Sequence, residues 1–462
     1  MKKLLVKNGV VVTAQAEFKA DVLVKNGRIA AVGTGLPEEG CVIADAKGKL
    51  VLPGAIDSHT HLAMPLRDGI STSDDYFTGT RSAACGGTTT VFDYILQKPG
   101  EPLDESVRRQ NALAEPDCVI DYAFHTGVSD VSTPELLNSV RRSADMGVTS
   151  FKAYMVYAFG LNDGQMYELF RACARFGALA GVHAENRHII ASRTAEYLAA
   201  GHVDAWRHYM TRDEAVSGEA TRRAIEIAEM AGSALFIAHI SDDISVQAVT
   251  DARRQGVPVF AETCPQYMYF TNEVYKRENG CEFVCSPPVK GKRSRQAIWD
   301  GIRRGDISTI ATDHCPFTRE QKHRWDGRDF SLIPNGCAGI ETMYPYVLSC
   351  ANEGKIRFTD AVRLCAYNPA RLYGIDSQKG DIRAGLDADI VIYDPKKRAA
   401  VANSALHGNT DHTIWEGAAL KGCPAAVYSR GELVYKDGEF TGRRGAGRFV
   451  KCARVRHNTP QL

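Results

Sequence analysis

Eight apolar, strand-length runs recur through the middle of this chain, and that recurrence constrains its fold more than any other feature. They are Ala55–Ser58, Thr88–Asp93, Val119–Phe124, Ser150–Tyr154, Leu179–His183, Leu235–Ile240, Val257–Glu262 and Ser308–Thr312. The first five start about 30 residues apart, the length of one strand–helix unit. Stretches of helical character separate most of them. One opens at Thr133-Pro134-Glu135, with Thr as N-cap and Pro in the first helical position. Leu137, Val140, Arg141 and Ala144 then follow at helical spacing. Eight parallel strands, each followed by a helix, predict an α/β fold of the (β/α)8, or TIM barrel, type. A doubly wound open sheet uses the same local pattern, and the strand count favours the barrel.

The two ends have a different texture. Leu4–Val6, Val10–Thr13, Asp21–Val24, Ile29–Val32 and Leu50–Leu52 read as short strands, with Asn8-Gly9 and Asn26-Gly27 as hairpin turns. Asp389–Tyr393, Ala425–Ser429 and Glu432–Tyr435 read the same way near the other end. Barrel ends lie close together, so these strands are expected to meet as one small β-sandwich domain. The expected division is 1–53 and 376–440 for the sandwich, 54–375 for the barrel and 441–462 for a C-terminal extension. That basic extension lacks an apolar period and is expected to run along a neighbouring subunit or into solvent.

Composition excludes several partners. The formal net charge is +1 over 462 residues, which offers no electrostatic case for nucleic acid or an anionic membrane. Lys7 and Asn8 interrupt the apolar start, against a signal peptide. No apolar run reaches the roughly 18 residues a membrane span needs. Thirteen cysteines at scattered spacings, with no CxxC pair, read as free thiols of a reducing cytoplasm. The closest pair, Cys281 and Cys285, reads as incidental.

The chemistry gathers at the strand ends. In His59-Thr60-His61 the two imidazoles share one face of the first strand, at the end where such barrels carry their active sites. His183 ends the fifth run, His239 nearly ends the sixth, and Asp313 closes the eighth. One such residue is easily a satisfied hydrogen-bonding group. Four histidines and an aspartate converging on one mouth suit zinc or a similar divalent ion. Lys152, in Ser150-Phe151-Lys152-Ala153-Tyr154, is either a salt-bridged interior lysine or something more reactive. Its ammonium cannot ligate metal. A neutral amine, favoured by burial and nearby cations, reacts with CO2 to give a carbamate, a carboxylate-like bridging ligand. Two metals would then share a bridging hydroxide made available at neutral pH, which Asp313 could orient, deprotonate and protonate onward.

This residue set resembles the cyclic amidohydrolases, in particular their dihydropyrimidinase and D-hydantoinase (phenylhydantoinase) branch. The likeness covers essentially the whole chain. Its supporting strings include Leu52-Pro53-Gly54-Ala55-Ile56-Asp57, Phe151-Lys152-Ala153-Tyr154-Met155, Glu262-Thr263-Cys264-Pro265-Gln266-Tyr267, Ser286-Pro287-Pro288 and Pro334-Asn335-Gly336. The resemblance implies two divalent metals per subunit, usually zinc, held by His59, His61, Lys152, His183, His239 and Asp313, with Lys152 as N6-carboxylysine. It implies hydrolysis of a cyclic imide or amide to an N-carbamoyl amino acid, and a homotetramer. By motif, Tyr157 matches the tyrosine that donates to the substrate carbonyl as it becomes an oxyanion. Ser286 and Asn335 match positions whose backbone groups read the ring amides.

Within that superfamily, the dihydroorotase pattern resembles HxHxR, with the arginine holding a substrate carboxylate. Ala63 stands at that place here. Allantoinases are expected to carry polar residues where this chain has Ala63-Met64-Pro65-Leu66. Met64 and Leu66 suit an uncharged or aromatic ring substituent, and Tyr154 could extend that wall. Arg67-Asp68, Ala158-Phe159-Gly160 and Glu320–Asp329 look individual to this chain and are expected to shape substrate choice. An inward Arg67 would reopen an anionic substituent. A metal-free scaffold homologue, the remaining alternative, predicts lost ligands, and all six ligand-type residues are present.

Overall fold

The computed structural model describes residues 3–66 and 69–454. Eight parallel strands pair in chain order: Ala55–Thr60, Thr88–Leu96, Asp121–Val128, Ser150–Tyr154, Leu179–His183, Leu235–Ile237, Val259–Thr263 and Thr309–Ile310. A bridge between Thr60 and His314 brings the last strand round to the first. There the His61 N–H donates to the His314 carbonyl at 2.9 Å. Nearly every strand residue is buried, as continuous apolar runs require when helices cover a parallel sheet. The expected helix after Thr133 runs Pro134–Asp145, and the Thr133 side chain caps Leu136 N–H.

Six strands differ in their bounds from the sequence expectation, and at three of them a side chain takes a backbone N–H where the apolar run continues. Val119 N–H donates to Thr80 Oγ1, so the third strand starts only at Asp121. Thr312 N–H donates to the Asp57 carboxylate, so the eighth stops at Ile310. The sixth ends at Ile237, and His239 lies beyond it with φ 39°.

Both chain ends build the β-sandwich. A four-stranded sheet is made from Lys3–Lys7, Asp21–Lys25, Arg28–Gly33 and Cys41–Asp45. A seven-stranded sheet mixes Val10–Val12, Glu17–Lys19 and Leu50–Pro53 with Ile390–Ala400, Ala419–Ser429, Glu432–Lys436 and Glu439–Phe440. Their facing apolar residues, among them Leu4, Val22, Val51 and Ile390, share one core. Glu17–Lys19, Cys41–Asp45 and Glu439–Phe440 were not anticipated, since they are short edge strands without a buried face. Among the described residues no helix is long and apolar enough to cross a membrane.

The C-terminal extension corrects an expectation. Through residue 454 it does not leave the subunit but packs under its own barrel. Val450 N–H donates to the Tyr122 carbonyl at 2.7 Å, and Cys452 N–H to Gly147 at 2.9 Å. Phe449 stacks on Phe124, while Val450 and Cys452 are buried beside Phe236 and Tyr373. An apolar period is missing because this segment fits an irregular floor rather than a regular face.

Beneath the barrel, the buried Lys379 ammonium joins Asp121 at the start of the third strand to Asp387 and Asp389 of the sandwich, at 2.8, 3.2 and 2.7 Å. Removing one partner of a buried ionic network strands the others. Lys379→Met is therefore expected to destabilise the protein by about 3–5 kcal/mol, read from chemical denaturation. An unchanged midpoint would show that the network carries no stability.

Candidate active site

The cavity floor is assembled from strand ends that deliver polar side chains, two of them from the first strand. Glu262, in the seventh strand, organises two of them. Its Oε1 accepts from His59 Nδ1 at 2.6 Å and from the His239 N–H at 3.1 Å, and its Oε2 accepts from Ser58 Oγ at 3.3 Å. With Nδ1 donating, His59 is left with a lone pair on Nε2. That nitrogen lies 3.0 Å from Lys152 Nζ and 3.2 Å from Asp313 Oδ1. His61 Nε2 sits 3.2 Å from the same Asp313 oxygen. The His183 and His239 rings meet edge to face at 4.5 Å, and His239 lies 5.2 Å from His59. All six residues that the sequence singled out therefore meet at one mouth.

Burial sets their protonation. It pushes His59, His61, His183 and His239 below the ordinary imidazole range, so they stand as neutral donors. Burial also brings the Lys152 ammonium down to about 8, against the opposing pull of Asp313 and Glu262. The Tyr94 and Tyr154 rings lie 4.3 and 5.2 Å from its Nζ. Glu185 is raised by burial, but Arg212 and His183 outweigh this and take it to about 2. Its Oε2 accepts from His183 Nε2 at 2.7 Å and from Arg212 Nη1 at 2.8 Å. This commits one nitrogen of His183 and leaves the other.

Above the floor opens a cavity of about 490 Å3. Tyr157, Ser286, Asn335, Met64 and Leu66 all line it, and so does Phe159. Met64 and Leu66 pack with Ile70 and Cys315 into one apolar wall. Burial pushes the Tyr157 phenol up, so its hydroxyl remains a donor. Ser286 Oγ and Asn335 Oδ1 are buried without a protein partner. Tyr157, His239 and Asp313 adopt φ of 68°, 39° and 51°, a region costly to side-chain-bearing residues and often met at working sites. Gly336 next to Asn335 has φ 150°, and a Cβ there would lie 2.3 Å from the Cys315 carbonyl oxygen. Arg67 and Asp68 lie outside the described residues.

Glu320–Asp329 does not line the cavity, contrary to the simplest form of that expectation. It acts through Lys322, whose buried ammonium donates to the carbonyls of Val284 at 2.6 Å and Pro334 at 2.7 Å. These carbonyls precede the segments of Ser286 and Asn335. Lys322, Glu262, Glu185, Arg212 and Asp57 escaped sequence reasoning. A lone acid at the end of an apolar run, as in Val259-Phe260-Ala261-Glu262, was the signal available for Glu262.

The donor set fits divalent metal. His61 Nδ1 and His239 Nδ1 are buried with no protein partner, a condition that native interiors rarely tolerate. Ligand atoms of His59, His239 and Asp313 lie within 4.8 Å of one another. Neutral imidazoles and a carboxylate at that spacing suit zinc-like ions.

The amidohydrolase family model matches residues 50–434. A D-hydantoinase of Streptomyces coelicolor is 39% identical, with 99% of both chains covered. A D-phenylhydantoinase of Escherichia coli is 38% identical over 97% of this chain and 98% of that one. The structure of a dihydropyrimidinase from Brevibacillus agri superposes with a TM-score of 0.96 at 36% identity, covering 98% of this chain and 99% of that one.

Glu185 orients His183, so Glu185→Gln is expected to weaken divalent-metal affinity about 10–100-fold. Chelator competition measures it. Unaltered affinity would remove His183 from metal binding.

Proposed function

The chain belongs to the amidohydrolase family and is a hydrolase acting on cyclic amides, and from that premise we propose how its residues open the ring of hydantoins, 5-substituted hydantoins or dihydropyrimidines to N-carbamoyl amino acids. The observation that carries this reading is the meeting of four neutral imidazoles, Lys152 and Asp313 beneath an apolar-walled cavity.

In this proposal His59, His61, His183, His239 and Asp313 hold two divalent ions, zinc in the first instance. Lys152, once its neutral amine has added to CO2 to give N6-carboxylysine with release of one proton, would add a carboxylate-type ligand to that set. When bound, the metal pair acidifies water and polarises the scissile carbonyl. Asp313 takes a proton from the attacking water and returns it to the ring nitrogen as the C–N bond breaks. Water thus supplies a hydroxyl to the carbonyl carbon and a hydrogen to the leaving nitrogen. Tyr157 donates its hydroxyl to the carbonyl oxygen as negative charge develops there. Backbone groups at Ser286 and Asn335 pair with the ring's N–H and C=O, and Lys322 holds both segments in place. Met64, Leu66 and Ile70 receive the ring substituent.

We also propose a cytoplasmic homotetramer. Thirteen unpaired cysteines suit a reducing compartment, and the four-subunit state comes from the family resemblance.

Two measurements test the reading. Turnover of dihydrouracil, hydantoin, 5-phenylhydantoin and allantoin by the metal-replete protein should rank an apolar or unsubstituted ring first. A preference for allantoin, or no ring opening, would overturn it. Lys152→Ala is expected to abolish activity, and a short-chain carboxylate to restore part of it. Full activity without that additive would refute the ligand role of Lys152.

A further inference from the structure

Outside the catalytic mouth, three groups of metal-ligating side chains stand out among the described residues. Two are already satisfied. Asp121, Asp387 and Asp389 enclose the Lys379 ammonium. Glu341, beside Cys85, holds His407 Nδ1 at 2.7 Å and Ser82 Oγ at 2.8 Å.

The third is Cys281, His323 and Asp326, in which the Cys281 thiol donates to the Asp326 carboxylate. One ligand atom from each lies within 4.8 Å of the others, the same spacing as His59, His239 and Asp313. Cys281 is buried on the turn Gly280–Phe283, His323 ends the helix Arg319–His323, and Asp326 follows in the loop. Cys281 and Asp326 face an open cleft of about 390 Å3. Two cations of that cleft are engaged elsewhere. Lys276 pairs with Glu273 at 2.9 Å and lies over Trp206, and Arg277 lies over Phe283.

The surroundings of His323 supply the second observation. Its Nε2 lies 3.0 Å from Glu282 Oε1, and Arg319 Nε and Asn279 Nδ2 hold that carboxylate at 2.8 and 3.1 Å. A carboxylate on one imidazole nitrogen, leaving a lone pair on the other, is how ligating histidines are oriented. Thiolate, imidazole and carboxylate together select zinc-like ions.

We propose that Cys281, His323 and Asp326 form a second divalent-metal site, separate from the catalytic pair, for Zn2+ or an ion of its class, with a fourth position open to the cleft. Binding forms a sulfur–metal bond and releases the Cys281 thiol proton to water. It ties the turn that leads to Ser286 to the helix that carries Lys322. The site does not depend on the reaction proposed above.

Cobalt(II) added to the full-length protein, its resident metals in place, is the probe. The expected result is a near-ultraviolet thiolate-to-cobalt charge-transfer band, saturating at one equivalent and absent in Cys281→Ser. The exposed His323 provides a variant that spares the buried core, and His323→Ala should shift the titration midpoint at least about tenfold. No band at saturating cobalt, or a band of full intensity and unchanged midpoint in either variant, would overturn the proposal. The known catalytic-type residues do not include Cys281, so loss of ring-opening activity would leave this readout unaffected.

Discussion

The hydrogen bond from His59 Nδ1 to Glu262, 2.6 Å long and wholly buried, is the contact on which the cavity floor depends. It fixes which nitrogen of His59 faces Lys152. The same carboxylate oxygen takes the His239 N–H, so one acid orients groups from the first and sixth strands. Glu185 does the parallel job for His183. A polar group in a barrel interior costs stability unless it is paired. His59 and His183 are therefore each tied by one ring nitrogen, and the other is left uncommitted.

That pairing also supports a strained backbone. Left-handed conformations at His239, Asp313 and Tyr157 cost on the order of 1–3 kcal/mol each. They persist because the framework around them is over-determined. Asp57 holds Thr312 by both its N–H and its hydroxyl, at 3.0 and 2.6 Å, just before Asp313 turns. The His239 N–H is taken by Glu262 as the chain leaves the sixth strand. Rigid strands thus place side chains that regular strand geometry alone would misdirect.

Much of this was legible in the residues themselves. His59, His61, His183, His239 and Asp313 stand out because each is polar at the end of an apolar run. Lys152 stands out because an ammonium in such a run needs a reason. What stayed hidden depends on contacts across long sequence separations. Glu262 lies 203 residues from His59, and nothing in its neighbourhood names its partner. Lys322 lies among other charged residues with nothing in sequence to mark it, although it is 1% exposed and braces two distant carbonyls. The C-terminal extension has no period because it follows an irregular floor. The edge strands of the sandwich have no buried face for a pattern to report.

The proposed choice of a neutral ring follows the same logic of committed charges. Arg212 lines the cavity, and a free guanidinium there would invite a substrate carboxylate. Its Nη1 is already committed, donating to Glu185, itself buried and bound to His183. Turning Arg212 toward a ligand would strand Glu185, a loss of about 3–5 kcal/mol for a broken buried pair. It would also release the imidazole that Glu185 orients. An anionic ring substituent that drew Arg212 away would have to repay both losses, whereas an apolar one meets Met64, Leu66 and Ile70 without disturbing either. The arginine in the cavity lining is thus paired with the floor beneath it, in keeping with the neutral ring proposed as substrate.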